Sequence, residues 1–98
     1  MTEKHKSATL YVFEKIYEEV DKMEKIIEIL SRVRDDIDYE NEKELVDGGI
    51  LDSFDIVGIV SELIAEFDIE ISIDDMTAEN INSVEAIDAM VNRILDEF

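Results

Sequence analysis

The chain has no cysteine and no proline, and glycine occurs only at positions 48, 49 and 58. Without cysteine there is no disulfide framework, no thiolate metal site and no cysteine nucleophile. Without proline, and with glycine so rare, the signals that break helices are sparse, which favours an all-α fold. Histidine occurs once, as His5 in a polar N-terminus. A serine nucleophile elsewhere in the chain therefore lacks the usual general base, and no G-x-S-x-G turn is present. No apolar stretch approaches the length of a membrane span, and residues 1–9 are too polar for the apolar region of a secretory signal. These absences predict a cytoplasmic protein that is not an enzyme and does not insert into membranes.

Positive charge is the other scarcity. Nine Lys and Arg face 27 Asp and Glu, giving a net charge of −18 over 98 residues. Such a surface repels nucleic-acid phosphate and anionic lipid, and steers the protein toward basic patches on partners. Apolar residues still make up 46% of the chain and fall at helical spacing, so the acidity covers a folded domain with a modest core. The charge is unevenly placed. Residues 1–22 hold four Lys and five acidic residues, whereas residues 23–98 hold five Lys or Arg and 22 acidic residues. This shift divides the chain into an N-terminal extension, 1–22, and a main domain, 23–98.

Ile26, Ile27, Leu30, Val33 and Ile37 recur at the spacing of one helical face, predicting a helix that ends near Asp36. Residues 37–52 form a long loop whose Leu45, Val46, Ile50 and Leu51 can pack on the bundle. A second helix runs from about Ser53 to Phe67, burying Phe54, Val57, Val60, Leu63, Ile64 and Phe67. Residues 68–73 alternate like a strand, but a lone strand has no partner, so they read as an extended loop inserting Ile69, Ile71 or Ile73. A short helical turn follows at 77–80. Ser83 then caps a last helix with its stripe at Val84, Ile87, Met90, Val91, Ile94 and Leu95. The expected fold is all-α: a four-helix bundle with one long loop and an N-terminal helical extension.

The extension carries apolar residues three and four apart: Phe13, Ile16, Val20, Met23, Ile27 and Leu30. One continuous helix from Thr9 to Asp36 would be on the order of 40 Å long, longer than the bundle. Its overhang would expose Leu10, Phe13, Tyr17 and Val20. It either folds back, pairs with another chain through residues 9–23, or is a tail.

The richest local pattern is Gly49-Ile50-Leu51-Asp52-Ser53-Phe54-Asp55, followed at once by the second helix. A loop delivers Asp52-Ser53 to a helix start, with Ser53 as a candidate N-cap. Asp52 and Asp55 are favoured there by the helix dipole, and a phosphate ester on Ser53 would meet a natural anion site. Asp36-Ile37-Asp38-Tyr39-Glu40-Asn41 fails as a calcium loop because its sixth position is Asn41 rather than glycine.

Leu51-Asp52-Ser53-Phe54, the apolar positions Ile56, Val57, Leu63, Phe67 and Ile71, and the run Glu66-Phe67-Asp68-Ile69-Glu70-Ile71 resemble the acyl and peptidyl carrier protein family, from about Met23 onward. The resemblance implies a carrier bearing 4′-phosphopantetheine covalently on Ser53, with cargo held as a thioester. It implies two partners: a phosphopantetheinyl transferase, and an adenylating or acyl-transferring enzyme with a basic surface patch. Asp52, Phe54, Asp55, Ile56, Gly58 and Ser61 become candidate recognition residues, with Gly58 expected on the exposed face beside Asp55 and Ser61. Carriers of the fatty-acid type usually have an acidic residue where this chain has Gly58. That departure leans toward aminoacyl cargo, as in D-alanyl and peptidyl carriers, over fatty acyl cargo. An unmodified helical interaction module is the reading from another class.

Overall fold

The computed structural model describes residues 8–96, with side chains from residue 12 onward. It contains four α-helices, and no strand among the described residues: α1 Ala8–Val33, α2 Ser53–Phe67, α3 Ala78–Ile81 and α4 Val84–Leu95. A single 3-10 turn at Ile73–Asp75 lies between α2 and α3. The all-helical expectation holds, and so does the long connection after α1.

α1 spans 26 residues and crosses the charge boundary at 22–23 without a break. Only its C-terminal half enters the core, where Ile26, Ile29 and Leu30 are fully buried. It stops at Val33, one turn before the expected Asp36. The buried Tyr39 is the reason. Its hydroxyl lies 2.6 Å from the Arg34 carbonyl, just past the helix end, and 3.1 Å from the Leu30 carbonyl, which also accepts from Arg34 N at 2.8 Å.

The loop from 34 to 52 packs as expected: Leu45 and Leu51 are buried, and Val46 and Ile50 are partly covered. Asn82, just after α3, pins it. The Asn82 carbonyl accepts from Leu45 N at 2.9 Å, and its side-chain oxygen accepts from Val46 N and Asp47 N at 3.0 Å each. The paired glycines shape the next turn. A Cβ on Gly48 would sit 2.6 Å from the Glu44 carbonyl oxygen, and Gly49 has a φ of +71°, which L side chains adopt at a cost.

α2 buries Ile59, Val60 and Leu63. Three residues expected inside are not: Phe54 is 88% exposed, Val57 56% and Ile64 36%. These three lie on one strip with Ser61. α2 is apolar on most sides, so periodicity alone did not single out the face that packs. Past α2, Asp68 adopts the left-handed conformation (φ 53°) and its N–H bonds the Ile64 carbonyl, a helix stop of the kind glycine or asparagine often makes. Ile69 then enters the core, Ile71 is half-covered and Ile73 is 86% exposed. The alternating segment is indeed an irregular loop. Its Ser72 N–H and hydroxyl both donate to Asp75 Oδ2.

α4 follows its sequence pattern closely. Ser83 Oγ accepts from Ala86 N at 3.1 Å, and Val84, Ile87, Met90, Val91 and Ile94 are buried. α4 runs along α1 as far as Glu19 and Lys22. There Asn92 bonds both residues and also Asp88. One oxygen each of Glu19 and Asp88 is sealed from solvent without a hydrogen-bond partner. Burial first, then the facing Glu19, pushes the Asp88 carboxyl up to about 6, with Lys22 and Asn92 opposing. Beyond this junction α1 overhangs, giving a particle of 50 × 27 × 20 Å. Phe13, Ile16, Tyr17 and Val20 are exposed there, as is Val12. The expected exposure of Leu10 falls outside the described side chains.

Candidate functional site

The start of α2 is built by a reciprocal pair of carboxylates. Asp52 Oδ1 accepts from Asp55 N at 2.8 Å, and Asp55 Oδ2 accepts from Asp52 N at 3.2 Å. The N-cap is therefore Asp52, with an extended backbone (φ −94°, ψ 178°), and not Ser53 as expected from sequence. Asp52 wins because an acid three residues on returns the bond, closing a capping box. Ser53 becomes the first helical residue. It is exposed, and among the described residues nothing hydrogen-bonds its hydroxyl. The anion position at this helix end is already shared with the Asp52 carboxylate.

Arg34 holds the site to the rest of the fold, and sequence reasoning missed it. Its Nη1 donates to Asp55 Oδ2 at 3.1 Å and to the Ile50 carbonyl at 3.2 Å. Its Nε and Nη2 grip both oxygens of Asp36, each at 3.1 Å. One guanidinium thus joins the end of α1, the long loop and the start of α2. Asp36, then Asp55, raises its pKa still further, and Arg34 in turn holds the Asp36 carboxyl below the usual range. The available signal was compositional: Arg34 is one of only five basic residues after Met23.

The candidate recognition residues separate into two faces. Asp52, Phe54 and Ser61 are exposed with Ser53, and Val57 lies among them. Phe54 and Val57 make an apolar patch one turn from the serine. Asp55, Ile56 and Gly58 turn inward. The Asp55 side chain is only 15% exposed, Ile56 packs against the core, and a Cβ on Gly58 would meet Val33 at 3.8 Å. The expectation that Gly58 and Asp55 share the outer face with Ser61 is corrected accordingly. The reason is the direction of α1, which lies along positions 55, 58, 62 and 66 of α2. Asp55 meets Arg34 at 3.1 Å, Glu62 meets Arg32 at 2.7 Å and Glu66 meets Lys25 at 3.5 Å. The acids on that flank are paired within the molecule, and position 58 faces Val33 of α1 at a distance that a methyl would fill.

The arrangement presents a nucleophilic hydroxyl without activating it. The only histidine, His5, lies outside the described residues. Among the described residues no cluster of His, Asp or Glu has metal-binding geometry, and no helix is long and apolar enough to cross a membrane. No protein-family model matches the chain, and no curated protein matches it significantly.

Proposed function

We propose that this chain is a carrier protein that takes a 4′-phosphopantetheine group on Ser53 and presents cargo to partner enzymes. The observation that carries the reading is the serine itself: exposed, fixed on the first turn of α2 by its neighbours' capping box, and with a hydroxyl that no described residue engages. A hydroxyl so placed suits modification by another protein. It does not suit catalysis, because no described residue hydrogen-bonds the hydroxyl as a general base would.

Attachment requires coenzyme A and a transferase. The Ser53 oxygen attacks the pantetheine-side phosphorus of coenzyme A, that phosphorus–oxygen bond to the nucleotide breaks, and 3′,5′-ADP leaves while the transferase accepts the serine proton. The thiol of the attached group supplies the thioester chemistry. The protein's own residues supply position and recognition. The Asp52–Asp55 box fixes the serine on a rigid helix. Arg34 offsets the charge of Asp55, one of the two carboxylates beside the added phosphate. The exposed Phe54 and Val57 give a partner an apolar contact within one turn of the arm. Cargo is an acyl or aminoacyl group, attached by a partner enzyme with a basic patch.

The test uses purified protein, coenzyme A, magnesium and a broad-specificity transferase, read by intact mass. Wild type gains one phosphopantetheine and Ser53→Ala gains none. Because Asp52 and not Ser53 caps α2, the alanine variant keeps wild-type thermal stability, and its failure is attributable to the missing hydroxyl. Wild type left unmodified by several transferases would support the unmodified interaction module instead.

A further inference from the structure

The overhang of α1 carries a patch that the molecule itself does not cover. Val12, Phe13, Ile16, Tyr17 and Val20 are all more than half exposed. The reason is rotational. Successive helical residues advance by about 100°, so Glu19, Lys22 and Ile26, which face α4 and the core, point roughly 120° away from the centre of this stripe. The bundle lies on one side of α1 and the stripe on another.

The stripe also has the relief of a helix-pairing surface. A groove of about 100 Å³ is lined by Tyr17, Val20, Asp21 and Glu24. These are positions i, i+3, i+4 and i+7, the four-residue hole that receives a knob from a facing helix. A second groove of about 250 Å³, lined by Phe13, Glu14, Tyr17 and Glu18, adjoins it through Tyr17.

Charge selects the occupant. Residues 23–98 hold 22 acidic residues against five basic ones, whereas residues 1–22 hold five against four. Two copies of so acidic a protein repel through most of their surface, and the overhang, where residues 8–22 carry four acidic residues against two lysines, is a less acidic place for them to meet. Charge also selects the direction. An in-register parallel pair would set the two acidic bundles side by side. An antiparallel pair centred between Ile16 and Tyr17 sets Phe13 against Val20 of the second copy. It also carries the two bundles to opposite ends, beyond the screening length of about 8 Å.

We infer that the α1 overhang is a homodimerisation surface, on which a second copy of this chain packs antiparallel through Phe13, Ile16, Tyr17 and Val20. The contact is two-fold symmetric and closed. Half of the area of about five large side chains on each copy amounts to on the order of 1,000 Å², the lower end for a specific complex. Association is therefore weak and concentration-dependent.

Sedimentation velocity of the full chain across about 5–500 µM, at low and high salt, tests this. The expected result is a monomer–dimer equilibrium that tightens with salt, because screening relieves acidic repulsion. Tyr17→Glu weakens it at least tenfold while circular dichroism shows unchanged helix. The cysteine-free chain makes direction readable. Phe13→Cys and Val20→Cys protein, mixed and oxidised, form the mixed disulfide, whereas neither cross-links efficiently alone. A monomer at every concentration and salt would overturn the proposal, as would an equilibrium untouched by Tyr17→Glu. Efficient self-linking of Phe13→Cys without the mixed product would overturn the antiparallel arrangement.

Discussion

Replacing Asp88 by asparagine makes the protein more stable at neutral pH, by a margin that shrinks as the pH falls. The Asp88 carboxyl has one oxygen sealed without a partner, faces Glu19 from α1, and has Lys22 and Asn92 as opposing influences. Its pKa stands at about 6 against an ordinary 3.8, so the folded state binds that proton more tightly than the unfolded chain does. Stability from this group is therefore gained as pH falls through about 6 toward 4 and is absent above 6, where the folded state holds an unfavourable charge. At about 1.4 kcal/mol per pH unit the full difference would be near 3 kcal/mol. The carboxyl is only partly shielded, and solvent screening leaves about 1 kcal/mol. Asparagine keeps the shape, still accepts from Asn92, and can donate toward Glu19 as the protonated acid does. Thermal unfolding of both proteins at pH 7.5 and pH 5 is the assay, with the difference between them read at each pH so that the pH response of the other 26 acidic residues cancels. Asp88→Asn should melt roughly 4–8 °C higher at pH 7.5, with a clearly smaller gain at pH 5. A variant that melts lower at pH 7.5, or whose advantage is equal at both values, refutes the reasoning.

Asp55→Asn should cost about 1–2 kcal/mol in urea unfolding, because it weakens the bond to Asp52 N and the charged bond to Arg34 together; an unchanged midpoint would mean that neither matters. Gly58→Ala should raise stability by about 0.5–1 kcal/mol, since it removes glycine from a helix interior and its new methyl meets Val33 at an ordinary 3.8 Å. A lower melting temperature would show that α1 and α2 cross too closely to admit it.

What the sequence disclosed tracks how one-sided each helix is. α4 was legible almost residue by residue, because Ser83 announces its start and polar Asp88, Asn92 and Arg93 mark off its apolar stripe. α2 was legible as a helix but not in its orientation. With Phe54, Ile56, Val57, Ile59 and Val60 in one run, several faces could have been buried, and the course of α1 decided among them. The choice of cap was present as the Asp52-x-x-Asp55 spacing but was read onto Ser53, an equally good capping type. Other features depend on partners distant in sequence. Tyr39 ends α1 from nine residues away, Arg34 reaches Asp55 over 21, and Glu19 meets the α4 residues Asp88 and Asn92 over some 70. No local pattern encodes these pairings. The exposed serine was legible because its setting is contiguous.

The continuity of α1 gives the molecule a fixed length scale. Its 26 residues extend about 40 Å, and the bond from Arg34 to Asp55 ties its C-terminal end to the turn that holds Ser53. The overhang and the serine thus occupy opposite extremities of one rigid rod. Two copies overlapping antiparallel through residues 12–20 would carry their serines outward, roughly 50 Å apart. At that spacing a single enzyme pocket serves one arm at a time, and cargo cannot pass directly from one copy to the other. Pairing would double the valency of the particle without allowing crosstalk between its two loads. An assembly bearing two pockets at a matching distance could engage both at once, and the rod would then act as its gauge.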